Sequence, residues 1–165
     1  MSLLDPIIAE LQHEAATTRK LFERIPDEQF DWQPHQKSMS VKNLTNHLAQ
    51  IYNWCGYIVN QDELDIATAQ FERKMAGATQ ELLALFDENV ANAVELLKQQ
   101  DEQHVLKTWT FRNGEQIIFA LPRMSVIRTM VLNHGIHHRG QLSVYLRLLN
   151  IPLPPMYGPT ADEPM

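Results

Sequence analysis

Residues 127–149 read IRTMVLNHGIHHRGQLSVYLRLL, and the spacing of the apolar side chains in this stretch indicates the fold class. These side chains recur every three or four residues, which is the period of an α-helix with one buried face. The stripe consists of Ile127, Val131, His134, His138, Leu142, Tyr145 and Leu149. We expect one long helix from about Pro122, a residue that favours helix starts, to about Leu149.

Three earlier segments show the same helical period, and we expect helices over about 3–24, 41–60 and 79–99. Ser40 precedes the second of them and is a typical N-cap residue. Four helices in 165 residues pack most simply as a four-helix bundle, so we expect an all-α protein with a single domain over residues 1–165.

The segment before the last predicted helix breaks the helical pattern. Residues 108–111 and 117–120 are rich in β-branched and aromatic side chains, and Asn113-Gly114 lies between them. Asn-Gly is a strong hairpin-turn signal because both residues tolerate positive φ. We expect a short β-hairpin here, and an extended C-terminal tail after Asn150, where the prolines at 152, 154, 155 and 159 oppose a helix.

Composition narrows the possible partners. The formal net charge is -6 and the 14 basic residues form no run, whereas a nucleic-acid binder usually presents a basic face, so we expect no nucleic-acid partner. No stretch approaches the ~18 apolar residues of a membrane span, and residues 1–6 do not resemble a signal peptide. The single cysteine, Cys55, permits no intramolecular disulfide. We expect a cytoplasmic protein with no membrane partner.

Three of the seven histidines fall on predicted inner faces. His134 and His138 are four residues apart on the apolar stripe of the last helix, and His47 lies in the inner stripe of the second helix. Three imidazoles that face a bundle interior would form a nitrogen site for a divalent cation. Two points stay open at this stage. A histidine on an apolar face is more often a hydrogen-bonded core residue than a ligand, and spacing alone does not show that the second and fourth helices are neighbours.

Four further residues are expected to line the pocket of such a site. Gln141 follows His138 by three residues and can face the same space. Tyr145 lies further along the same stripe, and Asn43 and Ile51 lie on the second helix. No residue is assigned as a catalytic base.

Other histidines, and the glycines near His134 and His138, have more ordinary structural roles. His137 is rotated off the stripe, so we expect it near the surface or in contact with a ligand residue. Each of Gly135 and Gly140 costs a helix about 1 kcal/mol relative to alanine. Their presence suggests the close approach of another helix or a ligand, and loose packing is the alternative. The remaining histidines, expected to be solvated or to cap helices, are His13, His35 and His104.

These motifs resemble those of the DinB-like superfamily, the damage-inducible and YfiT-like proteins. Residues 134–142, HGIHHRGQL, followed by Tyr145-Leu146-Arg147, look like the family's HxxxHRGQ helix and its downstream tyrosine. The segment Leu44-Thr45-Asn46-His47-Leu48 is similar to the one that carries the second-helix ligand. Residues 157–163, YGPTADE, are similar to a C-terminal motif of one branch of the family. Together the matches cover the whole chain in order.

The resemblance implies a bundle in which the second and fourth helices adjoin. It implies one divalent metal ion per chain, zinc or nickel in most members, held by His47, His134 and His138. It also implies that the chain forms a homodimer. Some members of the family are transferases or isomerases that depend on a bacterial low-molecular-weight thiol.

Two functional hypotheses follow from different classes of protein. The first is a metal-dependent enzyme, a thiol-dependent transferase or a hydrolase, that activates a thiol or water for attack on a small electrophile. The alternative is a non-catalytic metal-binding or stress-response module that works as a dimer. DNA binding is disfavoured by the acidic net charge.

Overall fold

The computed structural model describes residues 2–71 and 74–164. Within these ranges the helices are α1 (Leu4–Phe22), α2 (Val41–Gln50), α3 (Trp54–Asn60), α4 (Thr79–Lys98), α5 (Glu102–Leu106), α6 (Arg123–Ile127) and α7 (His134–Leu148). The strands are β1 (Glu63–Asp65), β2 (Thr108–Asn113) and β3 (Gln116–Pro122). None of the described helices has the length and hydropathy needed to cross a membrane.

Four helical segments form the bundle: α1, α2 with α3, α4, and α6 with α7. α1 packs against α4 and α7, and α2 packs against the same two helices. The consecutive helices α1 and α2 therefore lie at opposite corners of the bundle. Apolar side chains from all four segments fill the centre, among them Phe22, Leu44, Phe86 and Leu142. The predicted four-helix bundle is confirmed, and α2 and α7 are neighbours within it.

The second predicted helix, over 41–60, is not continuous. A 3-10 turn at Ile51–Asn53 separates α2 from α3. In an unbroken α-helix the N–H of Asn53 would bond to the carbonyl oxygen of Ala49. That oxygen accepts a hydrogen bond of 2.9 Å from the side-chain amide of Asn89 on α4. The break thus coincides with a contact from α4, which a pattern of apolar residues within one helix cannot reveal.

The last predicted helix, over 122–149, is also interrupted. A π-helical turn spans Arg128–Asn133, between α6 and α7. The hydroxyl of Thr129 donates to the carbonyl oxygen of Ser125 at 3.0 Å, which is the oxygen that the Thr129 N–H would use in an α-helix. Such wide turns occur frequently next to functional residues, and this one ends immediately before His134.

The predicted hairpin is present and longer than expected, and it belongs to a three-stranded sheet. β2 and β3 pair antiparallel, while β1 pairs parallel with β2. Only Gly114 has positive φ at the hairpin turn, because Asn113 is still in β2. The carboxylate of Asp65 accepts a hydrogen bond of 2.9 Å from the Gly114 N–H, which joins β1 to the turn. A strand of three residues is too short to show the alternating pattern that predicts strands.

Two polar side chains fasten later elements to the end of α3. Arg123, only 1% exposed, donates to the carbonyl oxygen of Ile58 at 3.0 Å and pairs with Asp62. His104, expected to be solvated or to cap a helix, lies within α5, and its Nε2 atom is 2.9 Å from the carbonyl oxygen of Val59. The start of the last helical segment is thereby held in place against the bundle.

The tail after Asn150 is extended, as its prolines predict, and it folds back onto the bundle. The hydroxyl of Tyr157 donates to the Glu14 carboxylate on α1 at 2.7 Å. The carboxylate of Asp162 pairs with Arg147 on α7 and accepts from the Leu153 N–H at 2.9 Å. The tail thus contacts both the first helix of the bundle, α1, and the last, α7.

Cys55 lies in α3 and is completely buried. Burial raises the pKa of its thiol to about 12, because the thiolate would lose its hydration. The side chain stays protonated and acts as a small apolar core residue.

Candidate metal centre

His47 on α2 meets His134 and His138 between α2 and α7. The Nε2 atom of His134 lies 3.2 Å from Nε2 of His47 and 2.9 Å from Nε2 of His138. The possible ligand atoms of the three residues all lie within 4.8 Å of one another. The structure therefore brings together the three histidines that the sequence predicts as metal ligands.

The spacing of these nitrogen atoms fits a tetrahedral metal ion. Metal–nitrogen bonds of roughly 2.05 Å at tetrahedral angles place two ligand nitrogens about 3.3 Å apart. The contacts of 3.2 Å and 2.9 Å lie close to that separation. Three imidazoles would leave a fourth position open for water or a substrate, which is the usual arrangement in catalytic rather than structural sites.

Burial keeps two of the ligand candidates neutral. The pKa of His134 is lowered below its ordinary value, first by burial and then by the neighbouring His138. The pKa of His138 is also lowered, chiefly by burial and against the opposing hydrogen bond from Gln141. Since metal ions bind only the unprotonated ring nitrogen, both shifts favour the form that can ligate.

The Nδ1 atoms of His134 and His138, which are the ring nitrogens outside the cluster, differ in their surroundings. Nδ1 of His138 lies 2.7 Å from Oε1 of Gln141, so the proton belongs on Nδ1 and the lone pair of Nε2 is free. Nδ1 of His134 is buried and has no close side-chain partner among the described residues, and the Met130 backbone acts on this ring by raising its pKa against the effect of burial.

A cavity of about 470 Å³ includes His47 in its lining and extends along α2 and α3. Its described lining consists of Met39, Asn43, His47, Gln50, Ile51, Asn53, Trp54, Tyr57, Phe71 and Met75. Two of the residues predicted for the pocket, Asn43 and Ile51, lie on this lining. A volume of this size suits a small organic molecule.

The wall of this cavity opposite α2 belongs to the connection between β1 and α4, and two amide side chains of α2 hold it in place. Asn46, 1% exposed, accepts from the Ala76 N–H at 2.7 Å and donates to the Ala76 carbonyl oxygen at 3.1 Å. Gln50 donates to the carbonyl oxygen of Lys74 at 3.1 Å. Both amides flank His47 in the sequence, so the helix that carries the candidate ligand also positions the cavity wall.

Sequence reasoning missed most of this cavity. Gln50 and Trp54 follow His47 by three and seven residues, a spacing that puts them on its helix face and could have identified them. Phe71 and Met75 lie in a connection without helical or strand period, so no sequence signal places them near His47.

Other residues predicted near the site lie elsewhere. The buried ring of Tyr145 packs edge-on against Trp32, with 5.6 Å between ring centroids, and is not part of the cavity lining. His137 is exposed, and its ring contacts that of His138. A Cβ atom added at Gly135 or Gly140 would meet no atom within 4 Å, apart from the chain neighbours and the helix's own backbone. The expectation that these glycines admit a closely approaching helix is therefore wrong for the described residues, and the approach of a ligand stays a prediction.

A buried ion pair supports the helix turn that carries His138. The next residue, Arg139, is 2% exposed and pairs with the Glu14 carboxylate at 2.5 Å. It also donates to the Glu14 carbonyl oxygen at 2.9 Å and contacts the Tyr157 hydroxyl. These contacts tie α7 to α1 and to the tail on the side of the helix away from the cavity.

Comparison with known proteins agrees with this fold. The family model described as "DinB family" matches residues 1–164. YrdA of Bacillus subtilis, an uncharacterized protein, is 23% identical over 160 residues, which cover 97% of this chain and 91% of YrdA.

Solved structures show the same fold at low sequence identity. The DinB-like protein YjoA of Bacillus subtilis is similar with a TM-score of 0.72 and 18% identity, over 93% of this chain and 97% of YjoA. YfiT of Bacillus subtilis, described as a probable metal-dependent hydrolase with an unusual four-helix bundle topology, has a TM-score of 0.66 and 17% identity, over 90% of this chain and 88% of YfiT. With the family model matched over nearly the whole chain, the chain belongs to the DinB family.

Proposed function

We propose that this protein is a metal-dependent enzyme in which His47, His134 and His138 hold one divalent cation, zinc or nickel. The observation that carries the proposal is the convergence of three Nε2 atoms from two helices at contacts of 3.2 Å and 2.9 Å. Neutral nitrogens at this spacing are a donor set that suits a divalent ion.

The reaction class follows from the chemistry of the donor set. An ion held by three neutral imidazoles would keep its full positive charge and supply a Lewis acid that lowers the pKa of a bound water or thiol. In a hydrolysis the water oxygen bonds to the electrophilic carbon, the bond to the leaving group breaks, and a water proton passes to the leaving group. In a thiol transfer the sulfur takes the place of the oxygen.

The chain itself would contribute positioning. Gln141 holds His138 in the tautomer that presents Nε2, through the 2.7 Å contact with Nδ1. His47 lines the adjoining cavity, so a substrate there would contact this candidate ligand. The description of YfiT as a probable metal-dependent hydrolase supports hydrolysis, and the resemblance to thiol-dependent family members supports transfer to a low-molecular-weight thiol.

Metal content of the purified protein tests the site. We expect about one equivalent of zinc or nickel in the wild type after dialysis, and a loss of at least tenfold in His134→Ala and in His47→Ala. His137→Ala is the matched control, because His137 is an exposed histidine on the same helix and outside the cluster. Equal metal content in His134→Ala and the wild type would contradict the proposal.

The reaction is tested separately with electrophiles of different classes. Zinc-loaded protein is incubated with an aryl ester, an epoxide and an aryl chloride, each with and without cysteine as the probe thiol. We expect turnover of at least one class that is lost in His138→Ala and kept in His137→Ala. Unchanged turnover in His138→Ala would assign the activity to another site.

A second candidate function is a metal-stabilised module without catalysis, working as a homodimer. The observation that favours it is the position of the cluster, which would cross-link α2 to α7. This candidate predicts a large loss of melting temperature on chelation, a dimer by sedimentation, and no turnover with any electrophile. Turnover of any of the electrophiles would favour the metal-dependent enzyme over the non-catalytic module.

A further inference from the structure

The end of the cavity away from the histidine cluster is built from aromatic rings. Trp54 and Tyr57 on α3 meet edge to face, with 6.0 Å between ring centroids. Phe71, from the connection after β1, packs 5.7 Å from Tyr57 and 6.4 Å from Trp54. Three rings therefore surround one end of the space that His47 also lines.

The rim of the same cavity is apolar and open to solvent. Met39 is 36% exposed, Phe71 39% and Met75 48%. Single exposed apolar residues are ordinary, but three around one concavity form the kind of patch that marks a binding site. None of the ten described lining residues is Asp, Glu, Lys or Arg, so the described lining offers no charged partner to a ligand.

The cavity wall is held in position before any ligand arrives. The hydrogen bonds of Asn46 to Ala76 and of Gln50 to Lys74 fix the connection on both sides of Met75. A preformed wall avoids the loss of conformational entropy that occurs when a loose loop is ordered on binding. The exposed methionine and aromatic side chains are therefore presented by a supported surface.

The two ends of the cavity differ in chemistry and lie a ligand's length apart. Trp54 follows His47 by seven residues, which is roughly 10–12 Å along a helical path that includes the 3-10 turn. One part of the lining offers the imidazole of His47 and the amides of Asn43 and Gln50, and the other offers rings. A ligand that fits both ends has a polar head that can coordinate a metal and a flat, uncharged apolar body.

We propose that the Trp54–Tyr57–Phe71 end of this cavity is the subsite for an aromatic or similarly flat body of the substrate, with the reacting polar head at the histidine cluster. This inference rests on the proposed metal-dependent function. It adds to that function the substrate class: small, uncharged, ring-containing electrophiles rather than short aliphatic or strongly charged ones.

Two hydroxamates with the same chelating head and different bodies test the subsite. Zinc-loaded protein is titrated calorimetrically with acetohydroxamate, which lacks a ring, and with 2-naphthohydroxamate. We expect the naphthyl compound to bind at least tenfold more tightly and to quench tryptophan fluorescence. Trp54→Ala should lower the affinity for the naphthyl compound at least tenfold and leave the affinity for acetohydroxamate unchanged.

A neighbouring groove supplies the matched control. A larger concavity of about 850 Å³ lies between α3 and α4 and includes Asn92, which does not line the cavity at His47. Asn92→Ala should leave both affinities unchanged. Phe71→Ala is the second variant if Trp54→Ala does not fold, since Phe71 is partly exposed and lies outside the helices.

The outcomes separate the two proposals. Equal affinity for the two hydroxamates, or a preference for the naphthyl compound that survives both Trp54→Ala and Phe71→Ala, overturns the subsite and leaves the metal centre intact. Loss of the preference in Asn92→Ala places the ring in the larger groove and also overturns the subsite. Failure of both hydroxamates to bind, with no zinc retained by the protein, overturns the proposed metal centre together with the subsite.

Discussion

Nδ1 of His138 and Oε1 of Gln141 lie 2.7 Å apart on one turn of α7. The amide oxygen accepts the Nδ1 proton, so the imidazole is held in the tautomer whose Nε2 faces His134 and His47. One helical turn thus carries both a candidate ligand and the group that orients it.

Gln141→Leu should weaken metal binding without removing a ligand. Loss of a hydrogen-bond partner behind a ligating histidine typically costs 10–100-fold in metal affinity, and we expect a loss in that range. The measurement is competition for zinc with a chromophoric chelator at fixed pH. Val144→Ala, an exposed apolar change on the same helix, is the control. An affinity within twofold of the wild type would show that the contact does not orient the site.

Zinc should raise the melting temperature of the wild-type protein. At a free concentration 100 times the dissociation constant, a ligand specific for the folded state contributes about 2.7 kcal/mol. For a chain of this size that corresponds to a shift of roughly 5–10 °C. The shift is measured by calorimetry before and after chelation, and we expect it to vanish in His134→Ala and persist in His137→Ala. An equal shift in both variants would point to binding outside the cluster.

Asn46→Ala should destabilise the fold and loosen the cavity wall. Its buried amide makes the two hydrogen bonds to Ala76, and deletion leaves those backbone groups without their partner, at a cost of about 1–3 kcal/mol. Urea unfolding measures the loss. Asn43→Ala removes an exposed amide from the same helix and should change stability by less than about 0.5 kcal/mol. Comparable effects of the two substitutions would contradict this role of Asn46.

Gly140→Ala should stabilise the protein. A Cβ atom at this position would lie in open space, so an alanine side chain would not clash with its surroundings. Alanine also favours a helix by about 1 kcal/mol over glycine. We expect an increase of roughly 2–4 °C in melting temperature, with unchanged zinc content. A destabilised Gly140→Ala protein would show that the glycine is needed for a contact outside this chain.

Asp162 should contribute stability that depends on pH. Arg147 and the Leu153 N–H hold the pKa of this carboxyl below its ordinary value of 3.8. A folded-state pKa below the unfolded one means that the contribution is fully present above pH 3.8 and is lost as pH falls through the folded pKa. Asp162→Asn should therefore be less stable than the wild type at pH 7, and the difference should shrink in acid below pH 3.8. A difference in unfolding free energy that is independent of pH would contradict the assignment.

The sequence predicts the parts of the site that depend on local geometry. His134, His138 and Gln141 lie within two turns of one helix, so their shared direction follows from helical spacing. His47 is different, because its approach to His134 depends on the packing of α2 against α7, which the family resemblance implied and spacing could not. Phe71 could not be predicted near the site at all, since hydrogen bonds from another element place its segment.

The fold likewise divides into features that follow from local spacing and features that depend on packing. The four helical segments follow from apolar periodicity, and the hairpin follows from Asn113-Gly114. At the breaks after α2 and before α7, side chains donate to backbone carbonyl oxygens, Asn89 to that of Ala49 and Thr129 to that of Ser125. Such contacts depend on packing and rotamers that no apolar period encodes.

The diagonal placement of α1 and α2 has a consequence for how the chain assembles. Consecutive helices that do not pack together cannot form a helical hairpin, so the main partners of α1 are α4 and the last helical segment, which follow much later in the chain. His47 and His134 are 87 residues apart in the sequence, and the loop between them must close before their rings can touch. Contacts so distant in the chain slow folding relative to an up-and-down bundle. The ability to capture a metal ion is therefore acquired late, and the rate of zinc uptake during refolding would report the completion of the fold.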